Sequence, residues 1–326
     1  MLFPRSRGNS IINRHSCSGL RFSAVTLFIA TVAGVYGLLL GSFLNVVIWR
    51  VPRHESVVKP RSHCPSCDTQ LAARDNIPLV SWLVLRGRCR YCASAISIRY
   101  PMVELFTGVL FAAVGARFAH SWALPAFLVL TGALIAISVI DLEHFIIPNR
   151  IVYPVGFASV ILLALAALIQ HHWGAFGRSL LGACGAFAFF FVLHLVSPRG
   201  MGFGDVRLSF VLGLFLGWLG WPELFGGLFA GFFYGAVIGL VLIAVGGRER
   251  SQHIPFGPYL AAGTMTFVLA GDHLVSWWRG FGHCARPAGR PATAAGPELI
   301  HSAPNRCVWG RCRPRLQPGA GCVDCC

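Results

Sequence analysis

Two aspartates stand where apolar runs end, in a stretch of chain that has little other negative charge. Asp141 closes Ile140-Asp141-Leu142-Glu143-His144-Phe145-Ile146-Ile147-Pro148-Asn149, and Asp205 follows Gly202-Phe203-Gly204. Carboxylates are rare inside lipid and are functional candidates there. Two that approach closely cannot both ionise cheaply and share a proton. One then serves as general base on a water while the other donates a hydrogen bond to a carbonyl, which is peptide hydrolysis by a carboxylate dyad. Such a dyad titrates as a unit, so neither member is assigned the proton. Each aspartate also has a plainer reading. Asp141 fits an interfacial helix end, and Asp205 fits a helix cap with its carboxylate on free backbone N–H groups.

Cys64-Pro-Ser-Cys67 and Cys89-Arg-Tyr-Cys92 form a second constellation. Two C-x-x-C pairs about twenty residues apart have the spacing of a four-thiolate zinc knuckle. A site with four sulfur ligands is closed, so zinc there is structural and supplies folding energy to a short polar segment. The competing reading is two disulfides or free thiols. Cys17 and Cys184 read as bystanders. Cys284, Cys307, Cys312, Cys322, Cys325 and Cys326 fall in a Pro/Gly/Arg-rich tail whose composition cannot bury a core.

The elements that must position these residues are hydrophobic. The chain has 326 residues, of which 55% are hydrophobic and 12% charged, against about 25% charged in soluble domains. Apolar runs at 22–49, 105–116, 122–140, 151–169, 179–196, 208–221, 224–247 and 256–278 predict an all-α polytopic membrane protein with about eight transmembrane helices. The first run is too long for a signal peptide. The organisation read from the chain is a basic tail at 1–21, a first transmembrane helix at 22–49, a cysteine domain at 50–100, a transmembrane bundle at 101–278 and a tail at 279–326 that cannot pack. Glycines at spacings near four, such as Gly213 and Gly217, predict close helix contacts.

The net charge of +15 follows from topology better than from nucleic-acid binding. Residues 50–100 carry Arg50, Arg53, Lys59, Arg61, Arg74, Arg86, Arg88, Arg90 and Arg99 against Glu55, Asp68 and Asp75. Such an excess marks a cytoplasmic loop. Alternation then puts both aspartates on that side, with support from Arg150, Arg199, Arg207, Arg248 and Arg250. Arg5, Arg7, Arg14 and Arg21 in the first tail pull the other way. Of the remaining polar residues, Glu104 is expected to pair with Arg99, line the active cavity or sit at the interface. Asn45 is expected to bond between helices, Glu143 and His144 to be solvated, and Asp272 to be structural at the outer end of the last span.

In its motifs the chain resembles the type IV prepilin peptidase family, whose G-x-G-D form is shared with presenilin-like proteases. Gly41-Ser42-Phe43-Leu44-Asn45 with Trp49-Arg50-Val51-Pro52 is similar to the N-terminal signature. The two cysteine motifs follow in order, with Ile77-Pro78-Leu79-Val80-Ser81-Trp82 between them. Ile98-Arg99-Tyr100-Pro101, Asp141 with Ile147-Pro148-Asn149, Gly200-Met201-Gly202-Phe203-Gly204-Asp205-Val206-Arg207 and Pro255-Phe256-Gly257-Pro258 complete the set. Arg207 stands where the family commonly has lysine; Lys59 is the only lysine in the chain, so the swap matches an overall arginine bias.

The resemblance implies Asp141 and Asp205 as the catalytic pair and a bacterial inner-membrane location with the site at the cytoplasmic face. It implies prepilin or pseudopilin precursors as substrates, cut after a glycine just before their apolar stretch. It also implies N-methylation of the new terminus by S-adenosylmethionine, for which no binding residue can be named from spacing. The rival classes are an ion- or proton-coupled transporter and a non-catalytic membrane scaffold. A transporter would hold its acids near the midplane, whereas both aspartates end spans.

Overall fold

The computed structural model describes residues 23–59, 62–64, 66–72, 75, 77–198, 201–245 and 255–284, with side chains in the last helix described as far as Trp278. The tails predicted at 1–21 and beyond Cys284 lie outside the described residues, as do Arg61, Arg74, Arg199, Gly200, Arg248 and Arg250. Nine helices follow one another among the described residues: α1 (Ala24–Arg50), α2 (Val80–Val84), α3 (Arg99–Arg117), α4 (Leu124–His144), α5 (Asn149–Gln170), α6 (Trp173–Val196), α7 (Phe203–Leu219), α8 (Trp221–Ala244) and α9 (Gly257–Cys284). The described residues form no strand, only two isolated antiparallel bridges in the cysteine segment.

Five helices, α1, α4, α5, α6 and α8, are long and apolar enough to cross a membrane. The other three long helices coincide with expected runs but do not qualify by themselves. α3 opens on Arg99 and contains Glu104, α7 has 17 residues, and α9 carries Asp272. Each of these three lies antiparallel against a qualifying neighbour. Along α1 and α3, Gly41 meets Glu104, Gly37 meets Phe111 and Ala33 meets Gly115. Gly182 and Gly217 pair α6 with α7, and Gly231 and Gly263 pair α8 with α9.

Burial is unequal. Outward faces are apolar: Val25, Phe28, Val32 and Val35 on α1 and Phe225, Phe229 and Phe233 on α8 are exposed, a pattern suited to lipid and costly in water. α4 and α7 occupy the interior, each with buried residues around its circumference, and Phe127 packs its ring edge against Phe215 with centroids 5.0 Å apart.

The helix ends sort into two levels. At one level α4 stops where Phe145 adopts a left-handed conformation (φ 56°) and donates its N–H to the Asp141 carbonyl, and Pro148 caps α5. An Arg99–Glu143 ion pair joins the start of α3 to this turn, and Arg207 donates to Asn149 at the start of α5. Of the alternatives for Glu104, a pair with Arg99 is not formed, because Arg99 reaches across to α4; Glu143, expected to be solvated, is its partner. At the other level Arg117 pairs with Asp272 at 2.5 Å, and Arg178 donates to the Gly217 and Trp218 carbonyls at 2.8 Å, placing a cation at the C-terminal end of α7 where the helix dipole favours it.

Glycine decides how closely α6 and α7 approach. A Cβ on Gly213 would lie 2.5 Å from the Gly182 carbonyl oxygen, whereas one on Gly185 would meet nothing within 4 Å. Replacing glycine by alanine inside a helix ordinarily stabilises by about 0.5–1 kcal/mol. Gly185→Ala should therefore raise the thermal unfolding midpoint in detergent slightly. Gly213→Ala should lower it by the equivalent of about 1–3 kcal/mol, the usual cost of overpacking; an unchanged midpoint would contradict this packing.

Candidate active site

Asp141 sits in the last turn of α4 and is buried. Its Oδ2 accepts the Gly257 N–H at 3.0 Å, the first amide of α9. Helix starts expose amides with no intrahelical partner, and in the absence of water a carboxylate is a suitable acceptor. Asp205 is the third residue of α7, whose N-cap is Gly202. It is also buried. Its Oδ2 lies on the side of Gly202, which is itself the N-cap and makes no side-chain cap hydrogen bond, so Asp205 stands inside the first turn and not at the cap position of the plainer reading. The other, Oδ1, is buried with no hydrogen-bond partner. Leaving an acceptor in that state costs about 1–3 kcal/mol.

The two carboxylates are close enough to interact electrostatically. Ile147 packs between their supports. A Cβ on Gly204 would lie 2.9 Å from Ile147 Cβ, and one on Gly257 would lie 2.8 Å from Asp141 Oδ2 and 3.5 Å from Ile147 Cδ1. Three segments that are remote in sequence, around residues 141–149, 202–207 and 255–257, thus converge at one end of the bundle. Arg207 stacks on Phe203 with its guanidinium 4.4 Å from the ring centroid and bonds Asn149, tying two of these segments together.

The four motif cysteines converge as well. All four Sγ atoms lie within 4.8 Å of one another, with Cys64 and Cys92 3.8 Å apart. Tetrahedral zinc with Zn–S of about 2.3 Å puts its sulfurs about 3.8 Å apart, so the set fits that ion, and Cys64, Cys67, Cys89 and Cys92 are all free thiols rather than disulfides. Both knuckles obey one local rule. Cys64 N–H bonds the Thr69 carbonyl and Asp68 N–H bonds the Cys64 carbonyl; Cys89 N–H bonds the Ser94 carbonyl and Ala93 N–H bonds the Cys89 carbonyl. Asp68 (φ 55°) and Ala93 (φ 61°) take the same left-handed conformation. The Ser66 amide, chiefly, holds the Cys64 thiol well below its ordinary value, at about 6, and the Ser94 hydroxyl lowers Cys92. Thiolates, not thiols, bind metal.

Glu104 makes its contact with the cysteine segment. Its Oε2 accepts the Leu79 N–H at 2.9 Å, anchoring the cysteine segment to α3. Asn45 donates from Nδ2 to the Tyr100 carbonyl at 3.1 Å, the expected bond between helices. Gly257 and Ile147, which shape the Asp141 site, lie in motifs whose residue types carry no reactive group. Asp75, counted in the sequence only as a charge, is a buried partner of Arg90 at 2.7 Å.

Residues 35–118 match the family model described as the bacterial peptidase A24 N-terminal domain, and residues 128–244 match that of the type IV leader peptidase family. The chain is 35% identical over 293 residues to a prepilin leader peptidase/N-methyltransferase of Aeromonas hydrophila, covering 81% of this chain and 96% of that one. It is 41% identical over 257 residues to the protein of that name from Myxococcus xanthus, covering 75% and 73%. With the one from Bacillus subtilis it shares 37% over 246 residues, covering 75% and 95%. No solved structure matches.

The Gly257 contact is testable without knowing the substrate. A methyl in Gly257→Ala would stand 2.8 Å from Asp141 Oδ2, and the carboxylate, rather than backbone, must give way. Any reaction run by Asp141 should fall between ten- and a hundredfold, in the range of about 10²-fold per ångström of misplacement, with little change in unfolding temperature. Full activity in this variant would refute the contact.

Proposed function

We propose, from the premise that this chain belongs to the type IV leader peptidase family, that Asp141 and Asp205 form an aspartic endopeptidase dyad cutting the leader from prepilins or pseudopilins. The observation that carries the reading is the burial of two carboxylates at one bundle end, on supports that share Ile147, one held by the Gly257 amide and one with a free, buried oxygen. A water between them would be activated by whichever carboxylate is ionised, and the protonated one would donate to the scissile carbonyl. Methylation of the new N-terminal amine by S-adenosylmethionine follows cleavage, as the relatives' shared name supports.

The same reading takes all eight long helices as membrane crossings. Its support is the antiparallel pairing of α3, α7 and α9 along helices that qualify by themselves: a helix lying lengthwise against a crossing helix traverses the same slab. The aspartates then share a face with the basic cysteine segment, which the excess of arginine assigns to the cytoplasm of a bacterial inner membrane. A precursor with a basic leader and an apolar helix would dock in lipid beside the bundle, its cleavage site at that face. Both carboxylates terminate or begin helices rather than interrupting them at mid-depth, which favours proteolysis over an ion-coupled transporter.

We further assign Cys64, Cys67, Cys89 and Cys92 as ligands of one structural zinc ion, which when bound supplies folding energy and no chemistry to the aspartates. Purified protein should contain this ion. Cys67→Ser should lose one equivalent and unfold at lower temperature; unchanged metal content would remove the assignment.

For the dyad, Asp141→Asn and Asp205→Asn should each lower leader removal from a co-expressed precursor at least about a hundredfold while the protein accumulates normally. Mass spectrometry of the precursor reports both leader loss and the added methyl group. Efficient cleavage by either variant would leave a scaffold as the better reading.

A further inference from the structure

The short helix α2 in the cysteine segment is apolar apart from Ser81. On one side Trp82 is half-buried, donating from Nε1 to the Ile96 carbonyl at 3.3 Å with its ring against Gly87. Val80, Leu83 and Val84 have the spacing of a single helix face, and each is more than half exposed. Ile77, just ahead of the helix, is exposed as well. Among the described residues nothing covers this apolar stripe, which would be costly in water. Arg86 and Arg88 follow it, both exposed and neither paired with a carboxylate among the described residues.

The attachment of α2 fixes its depth. The Leu79 N–H at its start donates to Glu104 Oε2 at 2.9 Å, and Gly41 of α1 stands against the Glu104 backbone. From Gly41 to the end of α1 at Arg50 is about 13 Å along the helix, at 1.5 Å per residue. A glutamate side chain plus one hydrogen bond is shorter than that, so α2 starts deeper along α1 than the point where α1 ends. At this level the outer faces of the supporting helices are exposed and apolar, with Phe43 and Trp49 on α1 and Met102, Leu105 and Phe106 on α3.

We propose that α2 lies in the membrane interface, with Val80, Leu83 and Val84 seated among the acyl chains of one leaflet and Arg86 and Arg88 at the phosphates of anionic lipids. The leaflet is the one at the aspartates' end, since the Arg99–Glu143 pair ties the start of α3 to the last turn of α4. The stripe continues the lipid-facing surface of α3, which makes lipid its occupant rather than a second copy of this chain or a precursor's helix. An apolar face with arginines at its end is what seats a helix in an interface: the face enters the acyl boundary and the cations meet the headgroups. The proposal rests on the reading that α1 and α3 cross the membrane and needs nothing of the dyad. It gives the cysteine segment a third attachment besides the two helices it joins.

The test uses the full chain in nanodiscs of phosphatidylcholine mixed with phosphatidylglycerol. A photoreactive benzophenone amino acid, introduced by stop-codon suppression so that the native cysteines are untouched, replaces Leu83. Val109, exposed on α3, is the reference for lipid, and Glu55, exposed beyond the end of α1, the reference for water. On irradiation, mass spectrometry should find phospholipid attached at position 83 about as often as at 109 and about tenfold more often than at 55, as for a helix face seated about 5–10 Å into the leaflet. Phosphatidylglycerol should be enriched among the adducts at position 83, and Arg86→Asn combined with Arg88→Ser should abolish that enrichment. Adducts to a second copy or to a co-expressed precursor in place of lipid would overturn the proposal. So would a yield at position 83 no higher than at 55 while 109 is labelled, an outcome that leaves the membrane crossing of α3 standing. If position 109 also acquired no lipid, the crossing itself would fall and the proposal with it. Enrichment that survives the arginine variant would remove the headgroup contact.

Discussion

One amide hydrogen bond, from Gly257 to Asp141 across 116 positions of chain, sets the geometry that the rest of the bundle serves. A helix start buried in protein cannot leave its amides to water, and a buried carboxylate cannot go unsolvated without cost. Each requirement answers the other here. The contact needs glycine on the α9 side, because any side chain there would strike the carboxylate, and it needs α4 to stop within a turn of Asp141. Phe145 in its left-handed conformation and Pro148 at the next helix start accomplish that stop. Ile147, carried on the intervening turn, then fills the space against Gly204 and so brings the first turn of α7, with Asp205, into the same neighbourhood.

The cysteine segment solves a different problem with local rules. It has no strand and only one short helix among its described residues, so little apolar burial holds it. Two knuckles of identical hydrogen bonding bring four thiols to one point, and metal coordination is the natural source of the stability that packing does not provide. The segment is tied to the bundle through α3: Glu104 accepts from Leu79, itself at a positive φ of 58°, and α3 is in turn tied to α1 by Asn45. Glu104 is thus a joint between two parts of the molecule rather than a member of the dyad.

How much of this was legible in the sequence depends on which solvent surrounds each element. Apolar runs announced the positions of all eight long helices, and the aspartates and cysteines stood out because charge in lipid and paired C-x-x-C spacing are unusual. The Arg99–Glu143 pair was not legible, since nothing local says that the start of α3 lies beside the end of α4; Glu143 on its own looks like any solvated helix end. Asp75 had the same fate. Its burial comes from the fold of the knuckles and from Arg90, fifteen residues away. The roles of Ile147 and Gly257 were visible only as motif letters, because close approach between distant backbones leaves no mark in hydropathy.

The number of crossings shows the same dependence. Hydropathy measures fitness for lipid, and α7 does not have lipid as its main solvent. Its buried residues run from Asp205 to Trp218, with α6 pressed against it through glycine and α4 meeting it edge-to-face through Phe127 and Phe215. A helix enclosed in this way can be 17 residues long and can begin with a carboxylate, because its neighbours shield its ends and sides. Enclosure by neighbours, not hydropathy, is what lets a helix carry a buried carboxylate: Asp141 on α4, which qualifies as a span by itself, and Asp205 on α7, which does not, are both shut in by adjacent helices.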